Sequence, residues 1–160
     1  MPRAYIAFGG NVGDARETLA RAISKFCDGV QVRLIARSSD YKTPPWGVTD
    51  QPDFTNACVA IETALSPHEL LERAHEVERV FGRDRTREQH WGPRPLDIDI
   101  LTYGDLSLSD PKLTLPHPRL FERAFVLMPL LEIAPDAIIA GRNLQDALAK
   151  LDRGGIERLE

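Results

Sequence analysis

The sequence predicts an α+β domain built on an antiparallel sheet, and the order of its apolar segments leads to this prediction. Four segments have the length and the aliphatic or aromatic content of strands, at residues 4–9, 30–36, 54–63 and 96–103. Two segments with helical spacing of apolar residues separate them, which gives the order β-α-β-β-α-β. This order is typical of a ferredoxin-like unit, an antiparallel sheet that carries its helices on one face.

Both predicted helices have start and stop signals. Asp14 is placed to cap a helix over residues 15–27, and Gly29 follows as a terminator. The second helix begins at the segment SPHE (residues 66–69), a capping box with proline at the first helical position, and Gly82 ends it. Two further helices are predicted after the last strand, at residues 124–134 and 144–151. No repeat or linker interrupts this order, so residues 1–160 are predicted to form a single domain.

Composition narrows the classes of function. The 160 residues are 42% hydrophobic and 28% charged, which is typical of a soluble globular protein and excludes a disordered or coiled-coil chain. The net charge of −4 disfavours general binding to nucleic acids or anionic membranes, and no apolar stretch approaches the roughly 20 residues of a membrane span. The two cysteines have no metal-ligand spacing. We therefore expect a cytoplasmic monomer that binds neither nucleic acid nor a membrane.

The strand LDIDIL contains two acidic residues with the spacing of a shared face. Side chains two apart on a strand point the same way, so Asp97 and Asp99 project together while the aliphatic residues enter the core. Aspartate is a poor strand former and the two carboxylates repel each other, so we expect a cation over them. Oxygen ligands with few protein contacts suit Mg²⁺. The alternative at this point is a solvent-exposed face that carries two aspartates.

An arginine-rich loop precedes this strand and favours the metal interpretation. Its sequence GRDRTREQHWGPR contains a tryptophan and four arginines: Arg83, Arg85, Arg87 and Arg94. Guanidinium groups next to paired carboxylates are expected where a polyphosphate meets Mg²⁺. The alternative for such a loop is a solvated surface. Arginines and aspartates together make phosphoryl-type chemistry the leading class.

The glycine-rich segment GGNVG at residues 9–13 carries a weaker signal. It follows a strand and precedes a helix, but it lacks the spacing of G-x-G-x-x-G and the lysine of a P-loop. We interpret it as a tight strand-to-helix turn that lines a pocket. The four histidines are scattered, so zinc is not predicted.

Five segments together resemble one known family. They are AYIAFGGNVGD, YKTPPWG, QPDFTNACVAIET, GRDRTREQHWGPRPLDIDIL and LPHPRLFERAFVLMPLLEIAPD, within residues 4–136. The sequence resembles the 6-hydroxymethyl-7,8-dihydropterin pyrophosphokinase (HPPK) family of folate biosynthesis, and WGPRPLDIDIL is its most specific part. The resemblance implies that ATP gives its β,γ-diphosphate to the pterin hydroxymethyl oxygen, with release of AMP.

The resemblance also implies roles for individual residues. Two Mg²⁺ ions are implied at Asp97 and Asp99, and Asp99 is one candidate for the acceptor of the hydroxymethyl proton. The implied catalytic residues are Arg83, Arg94, Asp97 and Asp99. The implied nucleotide contacts are Glu78, Arg85, Trp91, Ile98, His117 and Arg123. The implied pterin contacts are Thr43, Pro44, Trp46, Phe54, Asn56 and Phe125.

Two rival functions remain open on the sequence. A nucleotidyltransferase or cyclase of the palm type also holds Mg²⁺ with carboxylates on a sheet, but it would release pyrophosphate rather than AMP. An RNA-binding module on the same sheet would need exposed aromatic residues in an RNP-type strand and a basic face, and the sequence has no such strand.

Overall fold

The computed structural model describes residues 1–45, 49–84, 86, 90 and 92–160. The elements follow one another as β1 (Arg3–Gly10), α1 (Ala15–Phe26), β2 (Val32–Arg37), β3 (Tyr41–Thr43), β4 (Phe54–Thr63), α2 (Pro67–Val80), β5 (Asp97–Tyr103), β6 (Leu108–Ser109), β7 (Thr114–Leu115), a 3-10 turn (Leu120–Glu122), α3 (Ala124–Ile133), β8 (Ile138–Ile139), β9 (Arg142–Asn143), α4 (Leu144–Ala149) and β10 (Glu157–Arg158). The predicted α+β class with an antiparallel sheet is confirmed.

The main sheet is antiparallel at every pairing, with β1 between β4 and the edge strand β5. β1 pairs with β5 on one side and with β4 on the other. β2 and β3 both pair with β4, β2 along its second half and β3 along its first, so they act as two halves of one broken strand. β10 pairs with the outer edge of β3. Strands β1, β4 and β5 thus run side by side, and residues at neighbouring ends of all three meet.

Helices cover both faces of the sheet. On one face α1 and α2 pack over β1, where the rings of Phe8 and Phe26 meet edge to face with centroids 5.7 Å apart. On the other face α3 and α4 pack over Cys58 of β4 and Leu101 of β5. The two apolar cores share the sheet between them. Within the ranges given above, no helix is both long enough and apolar enough to cross a membrane.

The boundaries differ from the predicted ones where a side chain or a short strand intervenes. The strand predicted from residue 30 begins at Val32, because the Asp28 carboxylate accepts the backbone N–H groups of Val30, Gln31 and Val32 and holds them in a turn. No sequence pattern predicts β3 or β6 to β10, because two or three residues carry no alternation.

The N-terminus of α2 is fixed by the predicted capping box, which the structure confirms. Ser66 Oγ accepts the Glu69 N–H, and the Glu69 carboxylate accepts the Ser66 N–H. We expect Ser66→Ala to lower the free energy of unfolding by about 1 kcal/mol, because one backbone donor loses its partner. Urea denaturation measures this value. Ser24→Ala, the same change at an exposed position within α1, serves as the control; equal effects of the two variants would contradict the role of the cap.

Candidate active site

The acidic pair on β5 faces away from the α1/α2 core. Asp97 and Asp99 have side chains that are 25% and 30% exposed, whereas Ile98 and Ile100 are each 2% exposed. The predicted division of this strand into a carboxylate face and a core face is confirmed. β5 pairs with β1 from Asp97 to Tyr103, so the backbone that carries the two carboxylates is held by the sheet.

Two arginines contact Asp97. Arg83 Nη1 lies 2.8 Å from Asp97 Oδ1, and Arg94 Nη1 lies 3.5 Å from Oδ2. The Nε of Arg94 is buried and has no hydrogen-bond partner within the part of the chain that the structure describes. A buried donor of this kind is normally satisfied, so an acceptor from a ligand would fit there.

Arg83 is buried because a glutamate from α2 is buried with it. Glu78 follows the apolar stripe of α2 into the core, and its Oε2 accepts Arg83 Nη1 at 2.9 Å and the Ile98 N–H at 2.8 Å. Arg83 thereby bridges Glu78 and Asp97, and it also contacts the Leu96 carbonyl at 3.4 Å. The bridge ties the end of α2 to the start of β5.

Asp99 lies near two groups of the 116–125 segment without contacting either closely. His117 Nε2 and Arg123 Nη1 are each 3.9 Å from its carboxylate oxygens. Loss of hydration and the nearby Asp97 carboxylate raise the pKa of Asp99 to about 7, against the opposing effect of Arg123. The charged form of such a carboxylate is disfavoured, and a cation next to it would stabilise that charged form.

His117 is held as a neutral imidazole. Burial and the nearby Arg123 lower the pKa of His117 to about 4. Its Nδ1 accepts the Arg119 N–H at 3.1 Å, so the hydrogen-bond pattern assigns the ring proton to Nε2, the nitrogen on the side of Asp99. His117 therefore offers a neutral N–H donor next to the acidic pair.

A small pocket lies beside Asp97. Its lining residues come from β3, β4, the loop before β5 and α3, namely Thr43, Pro44, Phe54, Gly92, Arg94, Asp97, Arg123 and Phe125. We call it the aromatic pocket. Phe54 and Phe125 are only half-buried and line this space, although phenylalanines are most often core residues. The Arg123 guanidinium lies 5.6 Å from the Phe125 ring centre.

Gly9, near the end of β1, allows the neighbouring strand β4 to pack closely at the site. Gly9 pairs with Asn56 of β4 on one side and with Asp97 of β5 on the other. A Cβ at Gly9 would lie 2.5 Å from Asn56 Oδ1, so only glycine leaves that amide in place. The Asn56 Nδ2 donates to Thr43 Oγ1 at 2.8 Å, which orients it at the edge of the aromatic pocket.

Asn11 is a site residue that the sequence patterns do not single out. Its N–H donates to the Arg94 carbonyl at 3.0 Å, and its Oδ1 accepts the Arg94 N–H at 2.9 Å. Its Nδ2 donates to Gln51 and to the Pro52 carbonyl. Asn11 thus clamps the two loops on either side of the pocket. The glycine-rich turn that contains it was the available signal, although none of residues 9–13 is among the residues that line the aromatic pocket.

The structure gathers most of the predicted site residues around these two features. Thr43, Pro44, Phe54, Arg94, Asp97, Arg123 and Phe125 line the aromatic pocket, while Asn56, Asp99, Arg83 and His117 lie next to it. Ile98 has its side chain in the core, and Glu78 is enclosed by its partners, so the implied nucleotide contacts of both stay predictions. Trp46, Arg85 and Trp91 lie outside the described residues.

Comparison with known proteins gives the family. The family model described as 7,8-dihydro-6-hydroxymethylpterin-pyrophosphokinase (HPPK) matches residues 5–135. The chain belongs to the HPPK family. The HPPK match spans every segment that forms the aromatic pocket and the acidic pair.

Relatives named as 2-amino-4-hydroxy-6-hydroxymethyldihydropteridine pyrophosphokinase match over the whole chain. The Methylorubrum extorquens protein is 52% identical over 160 residues, with 100% of both chains covered. The Pseudomonas aeruginosa protein is 42% identical, with 99% of this chain and 98% of the relative covered. The chain is therefore similar in length to these HPPK proteins.

Solved HPPK-DHPS structures share the fold. The crystal structure of an HPPK-DHPS in complex with substrates has a TM-score of 0.72 at 13% identity, over 92% of this chain and 43% of that chain. Wild-type Plasmodium falciparum HPPK-DHPS has a TM-score of 0.70 at 15% identity, over 93% of this chain and 41% of that chain. This chain spans less than half of either two-part protein.

The Glu78–Arg83–Asp97 bridge of this HPPK-family chain gives a stability prediction. We expect Glu78→Ala to lower the free energy of unfolding by about 3 kcal/mol or more, because the Arg83 guanidinium stays buried with one counter-charge fewer. Urea denaturation measures the loss. Glu76→Ala, an exposed glutamate of the same helix, should change stability by less than about 0.5 kcal/mol. A loss for Glu78→Ala no larger than that of the control would contradict the bridge.

Proposed function

We propose that this chain transfers the β,γ-diphosphate of ATP to the hydroxymethyl oxygen of 6-hydroxymethyl-7,8-dihydropterin and releases AMP, a step in folate biosynthesis. The observation that carries the proposal is that one pocket is lined by two phenylalanines and by Asp97 with Arg94 and Arg123. A flat heteroaromatic ring and a polyphosphate require different surroundings. This pocket places an aromatic surface for the ring next to charged groups for the polyphosphate. Diphosphate transfer from ATP to the pterin requires the two substrates to lie side by side in this way.

The pterin side of the proposal rests on Phe54, Phe125 and Asn56. Two aromatic faces suit a flat ring held between them. The Asn56 amide has donor and acceptor atoms that match the alternating edge of a pterin, and its hydrogen bond to Thr43 limits its rotation. We propose Thr43 and Pro44 as the wall of this subsite, with Trp46 as a further contact.

We propose two Mg²⁺ ions at the acidic pair, and the donor chemistry of the site fits them. Asp97 and Asp99 supply carboxylate oxygens on one face of a rigid strand, and Mg²⁺ takes its remaining ligands from water and phosphate. When bound, Mg²⁺ would neutralise phosphate charge and orient the attacking and leaving oxygens.

The arginines are proposed to stabilise the diphosphate as charge develops on it. Arg94 carries a buried Nε without a partner in the described structure, so it has a donor ready for a phosphate oxygen. Arg83 is held by Glu78 and acts from a fixed position. Arg123 and the neutral His117 face Asp99 from the other side. Arg85, Trp91, Glu78 and Ile98 complete the proposed nucleotide contacts.

We also propose a single, monomeric ferredoxin-like domain located in the cytoplasm. The strand order β5-β1-β4-β2, with α1 and α2 on one face, supports the ferredoxin-like assignment. The single domain is supported by two cores that share one sheet. Cys27 and Cys58 are free thiols, which supports a reducing compartment.

The product of the reaction tests the proposed function. With ATP, Mg²⁺ and the pterin, we expect AMP that depends on the pterin, measured by chromatography of the nucleotides. Asp97→Ala should lower the rate by about 100-fold or more, because several kcal/mol of transition-state stabilisation are lost. Asp105→Ala, an exposed aspartate in the turn after β5, should retain the activity. Release of ADP or pyrophosphate, or an unaffected Asp97→Ala variant, would contradict the proposal.

The aromatic wall gives a separate prediction. We expect Phe125→Leu to raise the KM for the pterin by up to about tenfold, because an aromatic pair contributes roughly 0.5–1.5 kcal/mol beyond area burial. The KM for ATP should change by less than about twofold, because the proposed contact of Phe125 is with the pterin ring. Phe121→Leu is the control, since this neighbour stacks on Arg142 rather than lining the pocket. Equal effects on both KM values would contradict the ring's role.

A further inference from the structure

The segment 151–160 covers the outer edge of β3, the strand that leads into the aromatic pocket. Within it, β10 pairs with β3 in the register Glu157 to Lys42 and Arg158 to Tyr41. The Leu159 N–H donates to the Asp40 carbonyl at 2.8 Å. The sheet edge next to Thr43 is therefore closed by backbone hydrogen bonds from this segment.

Side chains fasten the same segment to the start of β3. Arg158 Nε donates to Ser39 Oγ at 3.1 Å, and its Nη2 lies 3.7 Å from Glu132 of α3. Arg16 Nη1 donates to the Glu160 carbonyl at 3.1 Å, while its Nε contacts Asp40 at 3.0 Å. These contacts hold segment 151–160 against both β3 and α3, which contribute Thr43 and Phe125 to the lining of the aromatic pocket.

Gly155 lies close to the pocket wall at Pro44. A Cβ at Gly155 would lie 2.7 Å from Pro44 Cγ and 3.4 Å from Pro44 Cδ, so no side chain fits between them. The Pro44 ring is rigid and is not displaced by a change of rotamer. Gly155 also has φ +80°, a left-handed conformation that favours glycine. The backbone at Gly155 thus lies directly against Pro44.

Pro44 separates two spaces. On one side it lines the aromatic pocket together with Phe54 and Phe125. On the other side it lines a second cavity whose other walls include Asp152, Gly154 and Ile156 of segment 151–160. The wall formed by Thr43 and Pro44 is therefore backed by this segment.

We propose that Gly155 is a positioning residue for the pterin: its missing side chain lets segment 151–160 hold Pro44 in place and so sets the width of the aromatic pocket. The inference rests on the proposed function of that pocket. Gly155 touches no reacting atom. Its effect on the reaction passes through Pro44, so it should alter recognition of the pterin and leave recognition of ATP unchanged.

Steady-state kinetics of Gly155→Ala test this inference. The KM for the pterin should rise by about tenfold or more, because a misplacement of roughly 1 Å can cost on the order of a hundredfold. The KM for ATP should stay within about twofold, since the acidic pair and the arginines are not displaced. An equal rise in both KM values, or no rise in either, would overturn the inference.

Gly141→Ala is the matched control for backbone strain. Gly141 has φ +75°, close to that of Gly155, but nothing lies within 4 Å of the position of its Cβ. Its variant should lose similar thermal stability and keep the KM for the pterin of the parent chain. A rise in that KM equal to the rise in Gly155→Ala would assign the effect to strain and overturn the inference.

The double variant Pro44→Ala with Gly155→Ala identifies the contact. Removing Cγ and Cδ of Pro44 relieves the clash, so the double variant should have the pterin KM of Pro44→Ala alone. Additive losses would overturn the inference.

Arg158→Ala tests the same inference if Gly155→Ala does not fold. This variant loosens β10 from Ser39, and it should raise the KM for the pterin by about severalfold because the wall at Pro44 is held less firmly. An unchanged KM for the pterin would overturn the inference. Absence of pterin-dependent AMP from the parent chain would instead refute the proposed function.

Discussion

The repulsion between two carboxylates on one strand is the constraint on which the site depends. Asp97 and Asp99 are held on a rigid strand, partly out of water, where like charges repel strongly. Arg83 and Arg94 balance the first of them, and Arg123 faces the second. The excess of negative charge near Asp99 is what a cation would relieve. The same arrangement of charges therefore suits the Mg²⁺ and phosphate groups of the proposed reaction.

The balancing charges are themselves fixed by the packing around them. Arg83 keeps its position because Glu78 is buried on α2 and accepts both Arg83 and the backbone of β5. Arg94 keeps its position because Asn11 holds its backbone from both sides. Side chains that are fixed before the substrate arrives need little reorganisation during the reaction, which is the condition for effective electrostatic stabilisation. Glu78 and Asn11 thus fix the positions of the two arginines, and the arginines determine the electrostatics around Asp97.

Much of the fold and of the site could be predicted from the sequence, because the patterns involved are local. The capping box at Ser66, the alternation of LDIDIL and the long strand at residues 54–63 each depend on neighbours within a few positions. β3 and β10 could not be predicted, since each is too short to carry an alternation and exists by pairing with another strand, β3 with β4 and β10 with β3. Asn11 and Gly155 were missed for a similar reason: their partners lie 83 and 111 positions away, at Arg94 and Pro44.

The sequence by itself determined the α+β class, the shared face of Asp97 and Asp99, and the resemblance to the HPPK family, which the family match confirmed. These properties follow from the two-residue period of a strand and from residue types at fixed spacing. Only the tertiary structure decided that Glu78 is buried under Arg83, that His117 presents Nε2–H towards Asp99, and that segment 151–160 backs the wall at Pro44. Burial and contacts between distant segments set these properties, because hydration and hydrogen-bond partners are assigned only when the chain closes on itself.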